Sequence, residues 1–430
     1  MKIVFIGAGS IIFVKNLIGD CLLTPCLQDA EYALLDIDKE KLRMSAEMLQ
    51  QLNRNINGSR ATIKAYDSQK DALRNADFVI NAIQVGGYKT VVPDFEIPMK
   101  YGLKQTYADT LGIGGIFRGL RTVPVVQGIV EDMLEVCPDA WFLNYVNPMA
   151  IVTGAILKNY PVKMVGLCHS VQVCARDLLS GLNMPIDGIS YDIAGINHQA
   201  WLLKLERYGE DIYPEVREKA YARTDKHDDM VRYEIFKRFG YYVTESSQHT
   251  AEYTPYFIKR VYGDLEEKYG VRTEMYKEWG KSQDKYWKSI KEELINNALL
   301  SHERTSEFAS YIMEAIITGN EYIINANVLN KEYIGNLPYD SCVEVPCAVD
   351  ASGITPQHVP DLPIQCAALN RTNINVQDIT IEAVNTHKKD YIYQAALLDP
   401  HMMSELSIDD TISLCDEMID ENQKWIGEYR

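Results

Sequence analysis

Ile3-Val4-Phe5-Ile6-Gly7-Ala8-Gly9-Ser10 decides how this chain begins to fold. A short apolar run stops at a glycine, and apolar residues at helical spacing follow over positions 12–23. Strand, glycine turn and helix in that order cradle a pyrophosphate. Glycine permits the tight turn, backbone amides approach the phosphates, and the helix N-terminus faces their charge. The third glycine of G-x-G-x-x-G would stand at position 12, where the chain has Ile12. Context compensates. A second buried run, positions 32–35, ends in Asp36, and a carboxylate there can accept a hydrogen bond from a ribose hydroxyl. That favours NAD over its 2′-phosphorylated form. Gly7, Gly9, Ser10 and Asp36 are the expected cofactor-binding residues, with Asp38 a second candidate for the ribose. The bland alternative is a structural glycine turn without a ligand.

Further short apolar runs lie at 61–65, 78–83, 141–145 and 162–167, separated by helical or loop segments such as 39–52. This alternation predicts an α/β fold with a doubly wound, Rossmann-type parallel sheet. Beyond it the pattern changes. Adjacent strands are expected at 190–197 and 200–205, a loop at 225–229, and a helix at 230–239. A charged helical stretch follows at 265–300, then strands at 322–328 and 342–349, and helices at 377–385, 390–398 and 409–425. The expected organisation is an NAD-binding domain over residues 1–190. A C-terminal α+β domain over residues 191–430 would serve substrate, metal and oligomerisation.

Composition narrows the function. A formal net charge of −17 argues against nucleic-acid binding through a basic face. The 27 tyrosines suit a carbohydrate pocket or an oligomer interface equally. Nine cysteines, odd in number and irregular in spacing, do not form a disulfide framework and suit a reducing compartment. No secretory leader is read at the start, and no apolar window approaches the ~18 residues of a membrane span. A soluble cytoplasmic protein with neither nucleic-acid nor membrane partners is expected.

The run at 162–167 ends in Cys168-His169-Ser170-Val171, and the run at 190–197 ends in Asn197-His198. A thiol and an imidazole at two strand ends can hold a borderline metal ion. Each residue alone is more ordinarily a buried hydrophobe or a hydrogen-bonded core histidine. Together they sit where ligands gather in α/β sheets, and Asn147-Pro148 ends another strand nearby. A site with only two protein ligands would stay open to substrate oxygens. Asp109 lies in a glycine-rich loop, and residues 245–253 crowd Glu245, His249, Glu252 and Tyr253 into one segment. Position alone assigns none of these a role.

These strings, with Phe13-Val14-Lys15-Asn16, Ala108-Asp109-Thr110-Leu111-Gly112, Asn144-Tyr145-Val146-Asn147-Pro148 and Ala251-Glu252-Tyr253-Thr254-Pro255, resemble glycoside hydrolase family 4 from end to end. The resemblance implies a fold similar to lactate and malate dehydrogenases. It also implies NAD and a divalent metal, usually manganese, Mn(2+), as cofactors. The implied reaction is transient oxidation at sugar carbon 3, elimination of the glycosidic oxygen after loss of the carbon-2 hydrogen, water addition and re-reduction. Cys168 and His198 match the metal ligands, Asn147 a sugar-binding residue, and Tyr253 the region of the carbon-2 base.

Family members acting on 6-phosphorylated α-glucosides carry Asp after the metal-binding cysteine; here the residue is His169. Histidine, with an ordinary pKa near ~6.5, can serve as the leaving-group acid. Asp109 is the alternative. His169-Ser170-Val171 resembles the subgroup acting on non-phosphorylated α-galactosides of melibiose or raffinose type, and no compact basic cluster for a phosphate is visible. The family commonly forms homodimers or homotetramers. The rivals are an α-glucosidase or α-galacturonidase of the same family, a 2-hydroxy-acid dehydrogenase on the same fold, and a catalytically dead NAD-binding sensor.

Overall fold

Six strands carry the first part of the chain: β1 (Lys2–Ile6), β2 (Glu31–Leu35), β3 (Thr62–Ala65), β4 (Phe78–Asn81), β5 (Trp141–Asn144) and β6 (Lys163–Gly166). In the computed structural model, which describes all residues except 274, 277–285 and 287–288, they lie in the order β3-β2-β1-β4-β5-β6. All five pairings are parallel. This is the doubly wound order expected from the sequence, and its strand order reverses beside β1, where such sheets open a crevice for ligands. All but the edge strand β3 are buried on both faces. Ile3 and Phe5 join one core, and Val4 and Ile6 join the other. Period-two alternation thus feeds two apolar layers, each covered by helices.

The second part adds β7 (Ile189–Ile196), β8 (Gln199–Arg207), β9 (Glu210–Asp211), β10 (Tyr242–Val243), β11 (Tyr322–Leu329), β12 (Cys342–Asp350) and β13 (Gly353–Pro356). These pair antiparallel and extend the same sheet to 13 strands. Two narrow junctions make the joins. Asn327 of β11 faces Gly166 of β6, and Glu344 of β12 faces Gly195 of β7. A Cβ on Gly166 would lie 2.5 Å from Met149 Sδ and 3.0 Å from Asn327 Cβ, so only glycine admits the approach.

Several helices differ from expectation. The helix expected at 377–385 runs over Ile364–Thr386. Its first half escapes pattern reading because polar Asn370 and Asn373 are buried there, bonded to Gln199 and Trp201. The charged stretch at 265–300 is not one helix. Leu265–Tyr269 ends at Gly270, which takes φ +65, and a separate turn covers Lys291–Ile295. Part of that stretch lies outside the described residues. Among the described residues no helix is long and apolar enough to cross a membrane.

Candidate active site

The carboxyl ends of the central strands open into a cavity of about 510 Å³. Ser10 and Phe13 from the glycine turn and its helix line it, together with Cys168, His198 and Glu245. Gly7 takes φ +92, and a Cβ there would lie 2.5 Å from the carbonyl oxygen of Ala82. The Gly9 amide donates to Asp36 at 2.6 Å, while the other Asp36 oxygen accepts from the Asp38 amide. Asp38 caps the helix Lys39–Asn57 through the Lys41 amide. Of the two ribose candidates, Asp36 is the one against the glycine turn. Ile12 is more than a third exposed, so the missing third glycine removes no close contact there.

Cys168 follows β6, and His198 occupies the two-residue connection from β7 to β8. Glu245 follows β10. Their ligand atoms lie within 4.8 Å of one another. The sequence pointed to the first two; Glu245 stood only as part of a crowded segment. His198 and Glu245 both adopt left-handed backbone, at φ 62 and 66, as does Ala108 at φ 53. Such conformations cost non-glycine residues about 1 kcal/mol or more each, and they cluster at functional sites. Burial drives the His198 pKa down to about 4, the charge of Glu245 opposing, so its imidazole is neutral at pH 7 and free to ligate. Thr110 Oγ1 lies 3.4 Å from His198 Nδ1, and Glu245 lies 3.4 Å from Nε2. Burial, then Glu344 and Glu245, push the Cys168 thiol well above its usual range. A thiolate here therefore needs a cation beside it.

Asn147 and Asp109, separate candidates in the sequence, are bonded to each other: Asn147 Nδ2 donates to Asp109 at 3.1 Å. Asp109 also faces His249 at 3.4 Å and Arg118 at 3.6 Å. Burial alone would raise its pKa, but His249 and then Arg118 outweigh burial and hold the carboxylate well below its usual range. Tyr107 stacks on His249 with ring centroids 4.1 Å apart and lines the cavity. Tyr253 does not line it. Its ring is buried behind His198, centroids 6.1 Å apart, and burial pushes its pKa well up. His169 lines the cavity and bonds Glu307 through Nε2 at 2.6 Å. Burial lowers its pKa, yet the hydrogen bond and charge of Glu307 prevail and raise it. Glu307, Arg118 and His249 carried no assignment from the sequence. Residue density around position 249 was a usable signal; for Glu307 there was none.

Comparison with known proteins decides the family. The family model described as Family 4 glycosyl hydrolase matches residues 2–184, and that of the Family 4 glycosyl hydrolase C-terminal domain matches residues 193–402. The chain belongs to glycosyl hydrolase family 4. Within that family it is 53% identical over 431 residues to an α-galactosidase of Bacillus subtilis (strain 168), covering 100% of both chains. It is 34% identical to an α-galactosidase of Rhizobium meliloti (strain 1021), covering 100% of this chain and 89% of the relative. The solved 6-phospho-beta glucosidase of Thermotoga maritima with manganese, NAD+ and glucose-6-phosphate has a TM-score of 0.82 at 22% identity, covering 99% of each chain. That last likeness is one of fold.

Proposed function

We propose that this family 4 chain is an NAD- and Mn2+-dependent α-galactosidase hydrolysing terminal, non-phosphorylated α-galactosides of the melibiose and raffinose type. One observation carries the reading. A single cavity is lined by Ser10 of the glycine turn and by the Cys168, His198 and Glu245 donor set. The donors fit a divalent cation. Thiolate is a soft ligand for manganese, and the Glu245 carboxylate adds the hard oxygen that manganese favours. The glycine turn beside Asp36 fits a dinucleotide. When bound, the metal would supply Lewis-acid polarisation of sugar oxygens and NAD a reversible hydride acceptor.

The chain's own groups divide the remaining work. Asn147, held by Asp109, offers its amide to a sugar hydroxyl. His169 gives a proton to the glycosidic oxygen as that oxygen leaves. Asp109 is the poorer acid because His249 and Arg118 stabilise its ionised form. The resemblance gives removal of the carbon-2 proton to Tyr253, whose ring lies behind His198 rather than on the cavity wall. A second reading gives that step to Tyr107, because Tyr107 is the tyrosine of the two that lines the cavity. Arg118 is the Lys or Arg side chain among the described lining residues, and it pairs with Asp109. A wall carrying Asp109 and Glu245 favours a neutral galactoside over a 6-phosphate or a uronate. Nine free cysteines suit a reducing, cytoplasmic setting, with a homodimer or homotetramer as the proposed assembly.

The test is an aryl α-galactoside assay with NAD, Mn2+ and a thiol reductant, each omitted in turn. Full activity without both cofactors would sink the proposal. A panel of α-glucosides and α-galacturonides separates the family alternatives. Net NADH formation with a 2-hydroxy acid would indicate a dehydrogenase.

A further inference from the structure

Glu307 meets His169 of the cavity wall from a segment 138 residues away in sequence. It is 7% exposed, and its carboxylate meets His169 Nε2 at 2.6 Å. The segment carrying it is anchored from below. Asp20, fully buried in the helix Ile11–Leu23, accepts from the Thr305 amide at 2.9 Å and from its hydroxyl at 2.5 Å. His302 adds a contact to the same carboxylate at 2.8 Å and packs on Gly19, where a Cβ would lie 2.6 Å from its ring. Thr305 Oγ1 then accepts from the Glu307 amide at 3.1 Å. Phe308, next in the chain, is buried with its ring centroid 6.4 Å from that of His169. His169 stands at the start of the helix Ser170–Gly181, where its carbonyl accepts from the Gln172 amide but its side chain makes no capping bond. Its ring is held from the side by Glu307.

We propose that Glu307 is a positioning residue for His169, fixing the imidazole so that Nδ1 is the nitrogen presented to the departing glycosidic oxygen. A carboxylate accepts, so Nε2 carries the hydrogen in this bond and Nδ1 is the nitrogen left for the sugar. In the step served by the His169 imidazolium, the electron pair left at carbon 2 becomes the C1=C2 bond, the C1–O bond breaks with its pair on oxygen, and the Nδ1 proton passes to that oxygen. The inference rests on the reading of His169 as the leaving-group acid.

A double-mutant cycle in the NAD- and Mn2+-loaded enzyme tests it, with melibiose and p-nitrophenyl α-galactoside as substrates. Glu307→Ala should lower kcat on melibiose about 10–100-fold with little change in KM. The nitrophenyl substrate, whose leaving group needs no proton, should lose far less. Glu307→Gln, which still accepts from Nε2, should recover most of the rate. In a His169→Gln background, Glu307→Ala should cost nothing further. The same loss in both backgrounds, or no loss where His169→Gln is crippled, overturns the positioning role. If His169→Gln loses equally on both substrates while the coupling persists, His169 is not the acid and Glu307 still positions it. Should Glu307→Ala fail to fold, judged by NAD affinity and thermal unfolding, Glu307→Gln and Glu307→Asp carry the same cycle.

Discussion

Glu344 on β12 accepts a hydrogen bond from Asn327 on β11 at 3.1 Å, and both side chains are fully buried. The two residues sit at the two junctions that join the antiparallel strands into the sheet. The second Glu344 oxygen has no hydrogen-bond partner. Burial pushes this carboxyl up from 4.5 to about 8, with the Asn327 bond opposing and the charge of Glu245 adding. A folded-state pKa above the unfolded value means stability that is complete below pH 4.5 and lost as pH rises through about 8. Glu344→Gln should remove that decline, which amounts to at most about 1.4 kcal/mol per pH unit. Urea unfolding of both proteins at several pH values between 5 and 8 checks it. Parallel slopes would show that Glu344 is ionised when folded.

The donor set makes its own pH prediction. His198 is already neutral at pH 7, whereas the Cys168 thiol must lose its proton to ligate. Mn2+ affinity should therefore rise roughly tenfold per pH unit between pH 6 and 8. Cys168→Ser should abolish most binding, and Glu245→Gln should weaken it by about 10–100-fold. Calorimetric titration of metal-free protein measures all three. Unchanged affinity in Glu245→Gln would remove Glu245 from the ligand set.

The glycine turn separates folding from binding. Gly7→Ala forces a Cβ onto backbone at φ +92 and should cost about 2–4 kcal/mol of stability. Gly9→Ala meets the Asp36 carboxylate at 2.8 Å, which can move, and the Lys41 Cβ at 3.2 Å, with no backbone atom among its near contacts. It should leave stability nearly intact and lower NAD affinity by about tenfold, or about 1.4 kcal/mol. Chemical unfolding and NAD titration of the two variants give the comparison. Wild-type NAD affinity in Gly9→Ala would mean that the nucleotide does not use this turn.

Exchange of the carbon-2 hydrogen with solvent distinguishes the two tyrosines. Tyr253→Phe should slow exchange by about 100-fold or more, while Tyr107→Phe should act mainly on KM. Mass spectrometry of recovered sugar after incubation in D2O reads both. The reverse ranking would give the base role to Tyr107, the tyrosine on the cavity wall.

How much was readable before folding depends on the range of the interaction. The parallel strands were legible because Val4, Ile6, Ala33, Leu35 and their alternating neighbours form short runs buried on both faces. The helix Ile364–Thr386 was legible only in its second half, because Asn370 and Asn373 break the apolar pattern while being buried by partners far away in sequence. Cys168 and His198 drew attention because each ends an apolar run. Glu245 drew it only as one member of a crowded segment, and Glu307 not at all, since a lone carboxylate outside a motif reads as ordinary solvated surface.

The sequence by itself determined the parallel half of the sheet with its glycine turn, the strand ends that carry Cys168 and His198, and the family to which the chain belongs. These rest on local signals: a glycine that must take a left-handed turn, period-two burial, and residues that end strands. Only the tertiary structure decided that the antiparallel strands extend the same sheet. It alone brought Glu245 beside His198, tied Asn147 to Asp109, and carried Glu307 onto His169. Those contacts depend on chain closures spanning tens to hundreds of residues, held by buried anchors such as Asp20, and no local pattern encodes where such a closure ends.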